Sequence, residues 1–221
     1  MTLSVSLMRD RRRDLPHQLL ARLRPLPVHV VERPGSSVWD CARAAWLTGI
    51  GDYIICFQDD FLPAKGFPVL ARSFLAKYPD NPIAFWAWVP HEVSRGGALS
   101  MQIYANGGAL CLPRRWVEPF LKWCERLDPL WGPDDSRFAL WCSATGRRIL
   151  TPVPHLVQHV SVVSLARPGQ SIPRSDHFED DPGRVRWSDV IVEHKANVKD
   201  FLISRYMHCK NKGKPGEVWW L

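Results

Sequence analysis

Three short apolar runs near the start of the chain alternate with two amphipathic ones, and this order restricts the fold more than any other feature. Thr2 to Met8 alternates as a strand does. Asp14 is placed to cap a helix running to about Arg24, with Leu15, Leu19, Leu20 and Leu23 on one face. Val28 to Val31 reads as a second strand ending at Glu32, and Ser36 or Ser37 can cap a helix from Val38 to Thr48, closed by Gly49. Tyr53 to Phe57 is a third, buried strand. Strand–helix–strand–helix–strand order predicts a mostly parallel sheet with right-handed crossovers and helices on its faces, an α/β architecture.

Beyond residue 63 the periodicities predict a helix over Phe67–Tyr78 and a buried strand over Ile83–Trp88. Leu99–Ala105 and Gly108–Leu112 read as strands flanking the turn Asn106-Gly107-Gly108. Pro113 opens a helix to about Arg126. Asp134 or Asp135 caps another, ending at Gly146, and Ile149–Ser164 is extended. Arg167–Arg186 is polar and rich in Pro and Gly, and is expected as a mobile loop. A last helix is expected over Ala196–Cys209, followed by a basic tail at Lys210, Lys212 and Lys214. A chain of 221 residues suffices for one large α/β domain. The expected division is a core over 1–166, in two halves at about 1–63 and about 64–166. Residues 167–221 would pack on the same domain.

Composition removes several function classes. None of the six cysteines lies in a CxxC pair, and most sit in apolar periodic segments. They read as reduced core thiols rather than a zinc site or a disulfide framework, which points to a cytoplasmic protein. Thr2–Met8 is too short and polar for the apolar region of a signal peptide. The longest uncharged run, Ile149–Ala166, carries two prolines, two histidines and a glutamine, so no transmembrane segment is expected. Net charge is +7, which favours an anionic partner: nucleotide phosphate, nucleic acid or anionic lipid. Gly49-Ile50-Gly51 precedes a strand instead of following one, so it is no dinucleotide fingerprint.

The chemistry concentrates at Gln58-Asp59-Asp60-Phe61-Leu62-Pro63, where the apolar run Tyr53–Phe57 ends in two adjacent carboxylates. Open α/β sheets bind ligands at the carboxyl ends of their strands. Paired acids there repel one another unless a cation or a donor-rich ligand joins them. The alternative is that one Asp only caps the following turn. Asp134 and Asp135, heading a predicted helix, divide in the same way between a cap and a general base. A histidine in an apolar stretch, such as His159, is ordinarily a hydrogen-bonded core residue but can also ligate a metal; His155 is the weaker candidate.

Four motifs, in order, resemble the GT-A nucleotide-sugar glycosyltransferases. The first is the βαβαβ opening leading into Gln58-Asp59-Asp60, similar to the family's DxD or EDD metal motif. The second, Asn106-Gly107-Gly108-Ala109-Leu110-Cys111-Leu112-Pro113-Arg114-Arg115, is similar to its Gly-rich strand and following helix. The third, Trp131-Gly132-Pro133-Asp134-Asp135, resembles the acidic motif that supplies the base in inverting members. The fourth, Pro154 through Ser161, is similar to a late histidine motif near metal and diphosphate. Gln58 departs from the pattern, standing where many members carry an acid. The resemblance implies a GT-A, Rossmann-like sheet flanked by helices and a cofactor of Mn2+ or Mg2+ on Asp60 and His159. It also implies a nucleoside-diphosphate sugar, UDP-sugar first, as donor. Donor contacts would come from Arg9, Glu32, Arg43, Asp59, Gly107 and Gly108, acceptor contacts from Trp131 and Arg114, and the base from Asp135 or Asp134.

The expected reaction is inverting transfer of a sugar to a hydroxyl. The favoured acceptor is a hydroxymethylated pyrimidine in double-stranded DNA, as in phage DNA-modifying glycosyltransferases. A glycan or lipid-linked precursor at a membrane face is the second acceptor class. A carboxylate-metal nuclease built on the same acids, and a non-catalytic DNA-binding module, are the competing readings. Sugar identity, nucleobase and oligomeric state are left open.

Overall fold

The computed structural model describes residues 1–10, 14–16, 18–32, 38–87, 92–101, 108–127, 134–160 and 174–194. The opening follows the order expected: β1 (Leu3–Arg9), α1 (Leu19–Leu23), β2 (Val28–Glu32), α2 (Val38–Thr48) and β3 (Tyr53–Gln58). Both β2 and β3 pair in parallel with β1, Val5 lying opposite Val28 and Ile55. Next come β4 (Phe61–Pro63), α3 (Phe67–Lys77), β5 (Ile83–Ala84), β6 (Ala98–Met101) and β7 (Ala109–Pro113). Then follow α4 (Arg114–Cys124), α5 (Asp134–Ala144), β8 (Ile149–Pro152), β9 (Val157–His159) and β10 (Ile191–His194).

Eight strands form one sheet in the order β10-β6-β8-β5-β7-β3-β1-β2, and β4 pairs with β9 in a separate two-stranded ribbon. The large sheet is mixed, since β7 runs antiparallel to both β3 and β5 while the β2-β1-β3 end is wholly parallel. Helices cover both faces, and the period-2 pleat decides which residue goes where. Leu3, Val5, Leu7, Ile55 and Phe57 join the core that contains α1 and α3; Met8, Ile54 and Cys56 join the core that contains α2, α4 and α5. Each covering helix contributes one stripe: Cys41, Ala42, Ala45 and Trp46 on α2, and Val117, Phe120, Leu121 and Cys124 on α4. Trp46 and Phe138 stack at 6.1 Å, so this tryptophan is core.

Several expectations are corrected. The helix expected from Asp14 starts only at Leu19, after Gln18 in a left-handed conformation that interrupts any helix begun before it. The strand expected to reach Trp88 stops at Ala84, and the chain beyond it turns away to bond the β9 segment (Leu156 N–H to Phe85 O, 3.1 Å). The two strands around Asn106-Gly107-Gly108 are not hairpin partners: β6 pairs with β8 and β10, and β7 with β3 and β5. Strand β10 was not expected; Ile191–His194 is short and alternates exposed with half-buried side chains at a sheet edge. Within the segment expected to be mobile, residues 174–186 pack on the body, with Ser175 and Val185 buried. The expected caps Ser36 and Ser37, the helix Ala196–Cys209 and the lysine tail lie outside the described residues. Among the described residues no helix is long and apolar enough to cross a membrane.

Candidate functional site

At the carboxyl end of β3 the chain turns at Asp59-Asp60 and enters β4 at once. Antiparallel pairing of β4 with β9 sets Phe61 opposite His159, and Val160 N–H donates to Asp60 O at 3.0 Å. The register therefore brings a residue from late in the chain beside Asp60. His159 Nε2 lies 3.3 Å from Asp60 Oδ2, with the imidazole 2% exposed and the carboxylate 13%. The approach is not aligned as a hydrogen bond, and both ring nitrogens of His159 are buried without a hydrogen-bond partner. Buried polar atoms are nearly always satisfied, so the two imidazole nitrogens favour a ligand at this place.

A divalent cation fits that arrangement. An octahedral cation with bonds of about 2.1 Å holds adjacent donors about 3.0 Å apart, close to the observed nitrogen–oxygen separation. Among the described residues no group of three or more His, Cys, Asp or Glu side chains is placed to hold a metal. A cation there would be held by Asp60 and His159 and would neutralise negative charge brought beside them.

Asp59 points elsewhere. It is 6% exposed, and its Oδ2 accepts the Asp10 N–H at 2.6 Å, tying the end of β1 to the β3–β4 turn. Arg9 and Glu32 sit side by side at the carboxyl ends of β1 and β2, and Arg9 Nε is buried without a hydrogen-bond partner. Gly108, at the start of β7, accepts from Gln58 N–H at 2.9 Å. A Cβ there would meet the Phe61 ring at 2.1 Å, so only glycine lets that ring pass. Phe61 in turn meets the His159 ring edge-on at 4.9 Å and the Trp86 ring at 5.1 Å.

Asp134, the first residue of α5, is 3% exposed. Burial, then the neighbouring Asp135 charge, push its carboxyl up to about 7, against hydrogen bonds that include one from the Gln58 side chain. That contact accounts for Gln58: an acid there would add like charge beside a buried carboxyl, whereas the amide donates to it. Asp135 is half-buried and turned to its own helix, its Oδ1 accepting from Ser136 N–H at 2.6 Å and Ser136 Oγ at 3.3 Å. Arg137, two residues on, is buried beneath the Trp39 ring at 4.7 Å.

Arg114 lies at the opposite end of β3 from Asp60. Because β7 is antiparallel to β3, the residue after β7 lies at the start of β3, where Arg114 donates to Gly49 O at 2.6 Å. The six residues of β3, at about 3.3 Å each, put it roughly 20 Å from Asp60. Arg43 is placed on the exposed side of α2, 3.9 Å from Glu125 of α4. Gly107 and Trp131 lie outside the described residues. Sequence reasoning gave no role to Gln58, Phe61 or Gln158, although each stands in a motif it singled out, and did not place Trp86 near the site; the missing acid at Gln58 was the one available signal. The five described cysteines are buried and form no disulfide with one another, and burial pushes the Cys124 thiol up to about 12.

The sequence matches no family model and no curated protein. Solved structures of similar shape include the mannosyltransferase PcManGT from Pyrobaculum calidifontis, in complex with GDP-Man and Mn2+. It has a TM-score of 0.47 and 16% identity over 68% of this chain and 54% of that one. Another is a mutant of Drosophila β1,4-galactosyltransferase 7 with manganese, UDP-Gal and xylobiose (TM-score 0.45, 15% identity, 78% and 76% covered). A third is S. aureus TarS, residues 1–349 (0.43, 12%, 68% and 58%). The chain thus spans about half the length of the mannosyltransferase. Identities of 16% or less and TM-scores below 0.5 leave the activity to be argued from this chain's own side chains.

Proposed function

We propose that the chain is a metal-dependent glycosyltransferase of GT-A type, taking a nucleoside-diphosphate sugar as donor. The observation that carries this is the close pair of Asp60 and the buried His159 at the carboxyl end of β3, with a second acid, Asp134, tied to the same strand end through Gln58. A cation bound at the pair supplies charge neutralisation for a departing diphosphate. Arg9, beside Glu32 at the adjoining strand ends, is positioned for the nucleotide part of the donor. Asp134, its carboxyl raised towards neutrality, takes the proton of the acceptor hydroxyl as that oxygen bonds the anomeric carbon from the face opposite the leaving group. Asp135 keeps the start of α5 in place through its bonds to Ser136. The test is hydrolysis of a panel of UDP- and GDP-sugars with Mn2+ and no acceptor. Slow metal-dependent release of nucleoside diphosphate is expected, and a nuclease or simple DNA-binding protein would release none.

For the acceptor we propose a hydroxymethylated pyrimidine in double-stranded DNA, supported by the net charge of +7. Transfer to hydroxymethylcytosine or hydroxymethyluracil DNA, with unmodified DNA as control, tests it. Salt-insensitive DNA binding and no transfer would redirect the acceptor to a glycan.

A further inference from the structure

The His159 imidazole has no hydrogen bonds of its own to fix its direction, so its aim is set by its neighbours, and one side chain controls them. Gln158 is 4% exposed. Its amide oxygen accepts the Trp86 indole N–H at 3.2 Å, the His159 backbone N–H at 3.1 Å and the Ser175 backbone N–H at 3.0 Å. Its amide nitrogen donates to Ser175 O at 2.9 Å. An amide oxygen has two lone pairs, so three donors leave no spare capacity and no freedom to rotate. The Trp86 ring lies 6.4 Å from the His159 ring, and both pack on Phe61. Gln158 thus holds His159 by its backbone and, through Trp86, by the apolar wall beside its ring.

A second tier holds Gln158. Ser175 Oγ lies 2.6 Å from His155 Nδ1, and Ala87 N–H points at the same nitrogen from 3.5 Å. That nitrogen is therefore the acceptor and the serine hydroxyl donates. His177 N–H donates to Ser175 Oγ at 3.2 Å and His155 N–H to His177 O at 2.9 Å, stapling residues 175–178 along the β9 segment.

We propose that Gln158, braced by Ser175 and His155, is the positioning residue that aims the His159 imidazole at Asp60. The inference rests on the reading of His159 and Asp60 as cation donors. Groups that orient metal-ligating side chains typically contribute 10–100-fold to metal affinity.

The experiment measures Mn2+ affinity by electron paramagnetic resonance in the presence of UDP or GDP, and metal-free nucleotide affinity by calorimetry. The variants are Gln158→Met, Ser175→Ala, Ser175→Thr, His159→Ala and Asp60→Asn. Gln158→Met should weaken Mn2+ binding about 10–100-fold. Ser175→Ala should weaken it less and Ser175→Thr, which keeps the hydroxyl, should restore it, all with metal-free nucleotide binding unchanged. Folding is followed by circular dichroism; if Gln158→Met does not fold, Ser175→Ala and its Thr rescue decide. Normal Mn2+ affinity in the folded Gln158 and Ser175 variants overturns the inference, provided Asp60→Asn and His159→Ala abolish binding. If those two are silent as well, the cation site itself is wrong and the inference falls with it.

Discussion

His159 Nε2 stands 3.3 Å from Asp60 Oδ2, near enough for the two atoms to share one cation. About a hundred residues separate them in sequence. The antiparallel pairing of β4 with β9 brings them together, and the rings of Phe61 and Trp86 enclose the imidazole.

The adjacent acids at the turn have different work. Asp59 holds the Asp10 N–H at 2.6 Å, and a carboxylate bonded to backbone contributes about 1.5–3 kcal/mol. Asp59→Ala should lower unfolding free energy by about that amount in urea titrations. Asp59→Asn keeps an acceptor oxygen and should lose much less. Equal stability of all three proteins would remove Asp59 from this structural role.

Gly108 is where the site constrains the backbone. A methyl group there would meet the Phe61 ring at 2.1 Å. Gly108→Ala should cost about 1–3 kcal/mol of stability as the ring is displaced. Since Phe61 packs on His159, metal-dependent nucleotide binding should weaken too. An Ala variant with unaltered melting and binding would contradict the packing described.

Asp134 makes stability depend on pH with a definite sign. Its carboxyl is raised from 3.8 to about 7, chiefly by burial, so the fold favours its protonated form. Its contribution is complete below about pH 4 and is lost as pH rises through about 7. Wild type should therefore lose stability relative to Asp134→Asn across that window, as measured by urea unfolding at several pH values. If Asp134 is the base, transfer should rise over the same range and be depressed in the variant with donor binding intact. A pH-independent difference between the two proteins would place Asp134 in solvent.

The parallel end of the sheet was legible because strands alternate and helices carry stripes: Leu3, Val5 and Leu7 against Ile54 and Cys56 sort themselves by period. Asp60 stood out as a candidate because an acid at a strand end is costly without a ligand, and only the pairing of β4 with β9 sets His159 beside it. The place of Arg114 was not legible because sequence does not reveal whether β7 runs with or against β3, and the antiparallel choice sends the following residue to the far end. Gln158 was invisible for a related reason: its partners Trp86 and Ser175 lie 72 and 17 residues away and meet it only through folding.

The most direct test of the central claim is calorimetric titration of UDP and GDP into wild type and Asp60→Asn, each with and without Mn2+. The account predicts that Mn2+ strengthens binding of at least one of the two nucleotides to wild type and has no such effect on the variant, whose fold is unchanged. Nucleotide affinity that is indifferent to Mn2+ in wild type, or equally strengthened by it in both proteins, would contradict a cation site at Asp60 and His159.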